Sequence, residues 1–202
     1  MCWNSTVSLN TFLFGIFSVL LALKNNIITI NDSLFYFSFI FMQLIEYFTW
    51  KNINNLEKIK TLSIIALLLI FLQPALNLNS SYNGSHKKEI LMIYLIFILY
   101  VIIKSNINFT MTKAPNGHLT WDWLKFPKMI LLIWVLFLLL PRYNKPSILI
   151  LYLFIIGLIY YSYYKSNTWG SMWCWFGSIL SIILIIQVFT KDICTLPGGK
   201  LF

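Results

Sequence analysis

The sequence predicts an all-α membrane protein: a polytopic helical bundle of seven transmembrane helices, forming a single integral membrane domain over residues 1–202. Composition, hydropathy and patterning predict it. Of 202 residues, 59% are hydrophobic and only 10% are charged, against roughly 25% in an ordinary soluble domain. Mean hydropathy is +0.77. The apolar residues fall into seven blocks, separated by short breaks that hold charges or proline. So much apolar surface excludes intrinsic disorder, and a soluble domain of this size could not hide it. A spanning helix needs about 20 mostly apolar residues, so the length accommodates these spans and leaves no room for a soluble domain of the usual size.

The first block covers residues 7–23. No basic residue precedes it, and Ala22-Leu23-Lys24 is not a small-x-small cleavage site, so it reads as a retained helix rather than a signal peptide. The second block, 34–50, carries the deepest charge of the chain, and the third, 61–76, ends in Gln73-Pro74-Ala75-Leu76-Asn77. The fourth and fifth are short. Glu89 and Lys104 bracket 14 residues, and residues 129–141 make 13. Both can span if charged flanks snorkel or the bilayer thins. Trp121-Asp122-Trp123-Leu124 is read as an N-terminal extension of the fifth helix, with its tryptophans in an interfacial belt. The sixth block is 147–164 and the seventh 169–189.

The connections are terse except for residues 105–127, a long loop holding the least apolar stretch, Lys113-Ala114-Pro115-Asn116-Gly117-His118. Long loops in compact bundles are functional candidates. With seven helices the termini lie on opposite sides. Lys51, Lys58, Lys60, Lys104, Lys113, Lys125, Lys128 and Lys165 fall on one side; Lys24, Lys87, Lys88, Arg142, Lys145, Lys191 and Lys200 fall on the other. Eight against seven sets no orientation. The net charge of +9 flanks apolar blocks, where Lys and Arg meet anionic headgroups, so the expected partner is the lipid bilayer and not nucleic acid. A homo-oligomer is compatible with this reading. Cys2, Cys174 and Cys194 form no CxxC pair, which argues against a disulfide framework and a zinc site, and no cofactor is expected. Sequons at Asn4, Asn31, Asn79, Asn83 and Asn108 carry little weight in so Asn-rich a composition.

Polar residues inside a span are informative because burying them is costly unless they are satisfied. Among the charged residues only Glu46 cannot be placed in a loop or at a helix end. Gln43, Glu46 and Trp50 recur at i, i+3 and i+7, hence on one helix face, which should look inward. Gln73 and Asn77, one turn apart beside the Pro74 break, are the candidate partners of Gln43 and Glu46 in an ion- or substrate-binding site. In the long loop His118, Trp121 and Asp122 are candidates, with His118 and Asp122 in reach of each other if the segment is helical. Ser171, Cys174 and Ser178 form a small-residue stripe for close helix packing on the seventh helix. There is no GxSxG, no HExxH, no phosphate-binding glycine loop and no TVGYG-like filter.

The expected function is therefore a small ion, proton or solute channel or permease with its polar site around Glu46. The alternatives are a membrane-embedded lipid-modifying enzyme using Glu46 with His118, Asp122 or Cys174, and a structural or assembly protein of a membrane or virion with no active site. The motifs Gln43-x-x-Glu46-x-x-x-Trp50, Gln73-Pro74, Gly117-His118-x-x-Trp121 and Gly170-Ser171-x-Trp173-Cys174, in this order over residues 9–189, resemble a family of small multi-pass membrane proteins of unknown function from microbes and large DNA viruses. That family typically has Trp-His after the loop glycine, where this chain has Gly117-His118. The resemblance implies a seven-helix membrane fold and supplies no reaction or substrate.

Overall fold

In a computed structural model, residues 4–82, 84–143 and 146–194 are described, with the backbone alone for 142, 147, 148, 173, 174 and 191–194. The described chain is all-α, with seven α-helices: α1 Ser5–Lys24, α2 Ile30–Lys51, α3 Leu56–Ser81, α4 Lys87–Lys104, α5 Lys128–Leu139, α6 Pro146–Tyr163 and α7 Trp173–Cys194. Two of them, α1 and α3, are long and apolar enough to cross a membrane, and α5 and stretches of α6 and α7 are shorter apolar helices.

Local chemistry sets the helix starts. Asn4 accepts the Val7 N–H at 2.9 Å, Thr29 and Asp32 form a reciprocal capping box, and Asn55 accepts the Lys58 N–H at 3.1 Å. At the other ends, Asn26 and Asn167 turn the chain out of α1 and past α6 with φ of 54°, the left-handed conformation asparagine tolerates. The third helix differs from the sequence reading. It continues to Ser81, so Pro74 is interior and does not mark an end. Beside this break the Tyr94 hydroxyl of α4 donates to the Phe71 carbonyl at 2.6 Å, which ties α3 to α4 close to the proline.

The helices pack in a layered bundle. α2 lies between α1 and α3 and also touches α7; α1 packs on α7; α3 contacts α4 and α5. Between α1 and α2 the approach depends on small residues. Ser8, Gly15, Ser18 and Ala22, spaced by three, four or seven, form the buried face of α1. A Cβ on Gly15 would lie 2.8 Å from Ile40 Cγ1. The sequence reading placed such a stripe on α7 alone.

The larger departure is the long loop. It is neither an exposed connection nor an extension of the fifth helix. Residues Met111–Lys113 (β1) and Leu119–Trp121 (β2) pair as an antiparallel hairpin, with Met111 opposite Trp121 and Lys113 opposite Leu119. Gly117, at φ +83°, makes the turn. A single 3-10 turn follows at Asp122–Leu124, and α5 begins only after Pro127. The hairpin is packed into the bundle: Met111, Leu119, Trp121, Trp123 and Leu124 belong to the core shared with α2, α3, α4 and α7. The two tryptophans stack on each other at 5.0 Å, inside the protein and not in a lipid-facing belt. Phe126 stacks on Phe71, which is 15 residues, hence about 22 Å, along α3. The strand ladder supplies hydrogen bonds to this irregular segment and the core surrounds its side chains.

Candidate functional site

Glu46 lies five residues before the end of α2, at the end of the bundle that the hairpin closes. It is 1% exposed, and Gln43, one turn earlier on the same face, is 2% exposed. The i, i+3, i+7 spacing does turn this face inward. Thr11 of α1 donates its hydroxyl to Gln43 Oε1 at 3.0 Å. From α7, Gly177 comes close enough that a Cβ there would lie 3.9 Å from Gln43 Nε2. On the next turn of α2, Thr49 bonds back to the Ile45 carbonyl at 2.9 Å and meets the Met111 sulfur of the hairpin at 3.5 Å. On either side of Glu46, α2 thus meets α1 and α7 at Gln43 and β1 at Thr49.

Both carboxyl oxygens of Glu46 are buried and accept no hydrogen bond among the described residues. The Trp50 indole N–H, one turn away, is likewise buried and finds no acceptor among them. An ionised carboxylate buried without a donor is costly; a proton or a bound cation removes that cost. Helix interiors make such a site hard to satisfy, because every backbone N–H is already spent on the helix ladder.

Gln73 Nε2 donates to the Ser38 carbonyl of α2 at 3.3 Å, and Asn77 Nδ2 donates to the Leu138 carbonyl of α5 at 2.7 Å. These amides tie α3 to α2 and to α5. The sequence groups them with Gln43 and Glu46 as one candidate site; in the structure each amide has a donor bond to a backbone carbonyl of a neighbouring helix.

His118 and Asp122 are not neighbours on a helix, as the i, i+4 argument required. They stand at opposite ends of β2, about 13 Å of extended chain apart. His118 sits at the hairpin turn, edge-on to Tyr163 at 5.7 Å, with its N–H on Asn116 Oδ1 at 3.2 Å. Its burial lowers its pKa below the ordinary histidine value. Asn116 Nδ2 reaches Thr168 Oγ1 at 3.0 Å and fastens the turn to the α6–α7 connection. Asp122, at the base, pairs with Lys125 and accepts the Thr110 hydroxyl at 2.9 Å. Trp121 packs on Gly170, where a Cβ would lie 2.8 Å from its Cε3.

In the α7 stripe, Ser171 precedes the helix, in the turn, and donates to the Thr168 carbonyl at 3.0 Å. Ser178 and Ser181 are buried. The Cys174 side chain lies outside the described residues. Among the described residues no three His, Cys, Asp or Glu side chains come together as metal ligands.

Sequence reasoning missed Thr11 and the hairpin core. The Thr11 signal was present, since it continues the Ser8, Gly15, Ser18 face; the Asn116-Gly117 turn between Thr112 and Thr120 was the signal for the hairpin. No protein-family model, curated protein or solved structure matches the chain, so the functional reading rests on the chemistry of this site.

Proposed function

We propose that this protein crosses the membrane seven times and acts as a small proton or cation channel or permease, with Glu46 as its binding group. The seven-span reading is supported by the outer surface, which is apolar on every helix. Leu13 and Phe17 of α1, Leu68 of α3, Ile96 of α4, Leu136 of α5, Phe154 of α6 and Ile186 of α7 are all exposed, as are Phe41 and Phe48 of α2. Water would not tolerate an apolar girdle of this extent on a monomer, whereas lipid requires it. Inside the bundle, several serines, Gln43, Glu46, Gln73 and Asn77 are buried. The motif resemblance to small multi-pass membrane proteins agrees with this architecture.

The observation that carries the function is the Glu46 carboxyl group, buried with neither oxygen bonded. Intramembrane carboxylates of this kind mark ion paths and proton relays. Glu46 is 1% exposed, so it sits in a closed arrangement, and a transport cycle must open the hairpin end or part α1 from α7. The test is flux against pH through purified protein in liposomes, wild type beside Glu46→Gln at matched insertion. The glutamine keeps shape and hydrogen-bonding capacity but cannot titrate. Flux should fall at least tenfold or lose its pH dependence while folded yield is unchanged. Identical curves with measurable flux would overturn the proposal.

A further inference from the structure

A cavity of about 430 Å³ opens between the C-terminal end of α4 and the segment leading into α5, away from Glu46. Its lining divides by chemistry. Tyr100, Ile107, Phe126 and Ile130 give it apolar walls, and Lys104 and Lys125 bring two cations, both exposed to the outside. Asp122 is the acid in the lining, and it is already engaged by Lys125 and by the Thr110 hydroxyl, which leaves a net positive site. α5 starts at this cavity behind Pro127 with no side-chain cap, so its first-turn amides present the positive end of the helix. Trp123 also lines the cavity, as part of its buried wall. Cationic, donor-rich and apolar surfaces thus meet in one recess. Beyond it the exposed face of α4 continues the apolar wall through Ile96, Leu99 and Ile103.

We infer that this recess binds the headgroup of one anionic phospholipid, its phosphate against Lys104, Lys125 and the α5 start, and its acyl chains along α4. The inference rests on the membrane reading above but not on the role of Glu46. A free phosphate shares the headgroup chemistry; the apolar walls and the adjoining α4 face favour the lipid, because a free anion has no use for them.

The test uses the full chain, delipidated in detergent, with native mass spectrometry counting bound lipid. Phosphatidylglycerol and phosphatidylcholine of identical chains are compared, with inorganic phosphate as a competitor. Wild type should bind one phosphatidylglycerol about tenfold more tightly than phosphatidylcholine. Lys104→Gln with Lys125→Gln should reduce that preference to near unity. Ile107→Trp, which fills the recess and leaves charge alone, should weaken phosphatidylglycerol binding at least fivefold even if the lysine pair proves necessary for folding. Equal binding of the two lipids by wild type, or undiminished phosphatidylglycerol binding in Ile107→Trp, would overturn the inference. Displacement of the lipid by inorganic phosphate at matched concentration would overturn it in favour of a free-anion site. Resistance to alkaline carbonate extraction separates the two readings. A protein that stays in the membrane but shows no lipid preference sinks this inference alone, and one that is extracted sinks the membrane reading with it.

Discussion

Two polar levels of the bundle look alike in the sequence and differ in the structure. At one, Gln73 and Asn77 each send an amide N–H to a backbone carbonyl of a neighbouring helix. At the other, Glu46 sends and receives nothing among the described residues. The difference follows from what a helix can offer. Its carbonyls keep a spare lone pair, so an amide donor can find a partner on any neighbouring helix; its N–H groups are all committed, so a carboxylate finds none. Asn77 illustrates both halves, since its donor end is bonded and its Oδ1 finds no donor among the described residues. Buried amides can therefore brace a bundle at little cost, while a buried carboxylate is kept at a cost that binding must justify.

The largest effect should come from breaking the Glu46 end by overpacking. Gly170→Val drives a branched side chain into Trp121 and Leu124, where even a Cβ would sit at 2.8 and 3.0 Å. Overpacking of this kind costs about 1–3 kcal/mol. The thermal midpoint in detergent should fall, with a change in tryptophan emission as the Trp121–Trp123 stack shifts. Gly157→Val on α6 is the control, because nothing lies within 4 Å of a Cβ there. Equal losses from both would mean that the hairpin is not tightly held against the α6–α7 connection.

This part of the molecule was also the least legible in the sequence. Long apolar blocks announced the helices, with ends displaced by a few residues where Asn4, Thr29 and Asn55 cap them. The inward face of Glu46 followed from helical spacing alone. The hairpin did not. Its strands are three residues each, too short for an alternation signal, and what holds it is tertiary: Met111 on Thr49, Trp121 on Gly170, Asn116 on Thr168. Likewise nothing in Gln73 or Asn77 themselves says whether they will face Glu46 or a carbonyl. That depends on the rotation of α3 against α2 and α5, which the continuation of the helix through Pro74 decides.

A smaller effect is expected at the amide level. Asn77→Ala removes the bond to the Leu138 carbonyl and should cost about 0.6 kcal/mol, and at most about 1.7 kcal/mol. Gln73→Ala, which removes the 3.3 Å bond to the Ser38 carbonyl, should also lower stability. Neither should alter the pH dependence of flux in liposomes. A lost pH dependence in Asn77→Ala at normal stability would join the two levels into one site and erase the distinction drawn between them.

The smallest effect, and the one that separates the two levels by a different observable, is the response of stability to acid. The amide level holds no titrating side chain, so Asn77→Ala should shift the thermal midpoint by the same amount at every pH. The hairpin end holds His118, buried at the turn against the edge of Tyr163. Burial lowers its pKa in the folded protein, so between that lowered value and the unfolded value near 6.5 the unfolded chain binds the proton more readily. Stability from the neutral ring is therefore fully present above about pH 6.5 and declines as pH falls through that value toward the folded pKa, with a slope bounded by ~1.4 kcal/mol per pH unit for a single proton. Solvent reaching the hairpin turn keeps the actual slope well below that bound. Thermal midpoints of wild type measured from pH 8 to pH 5 should be level at first and then fall, and His118→Gln, which cannot take the proton, should fall less. Parallel curves for the two proteins would remove His118 from the acid response. The Glu46 end would then differ from the amide level in its unbonded carboxylate alone.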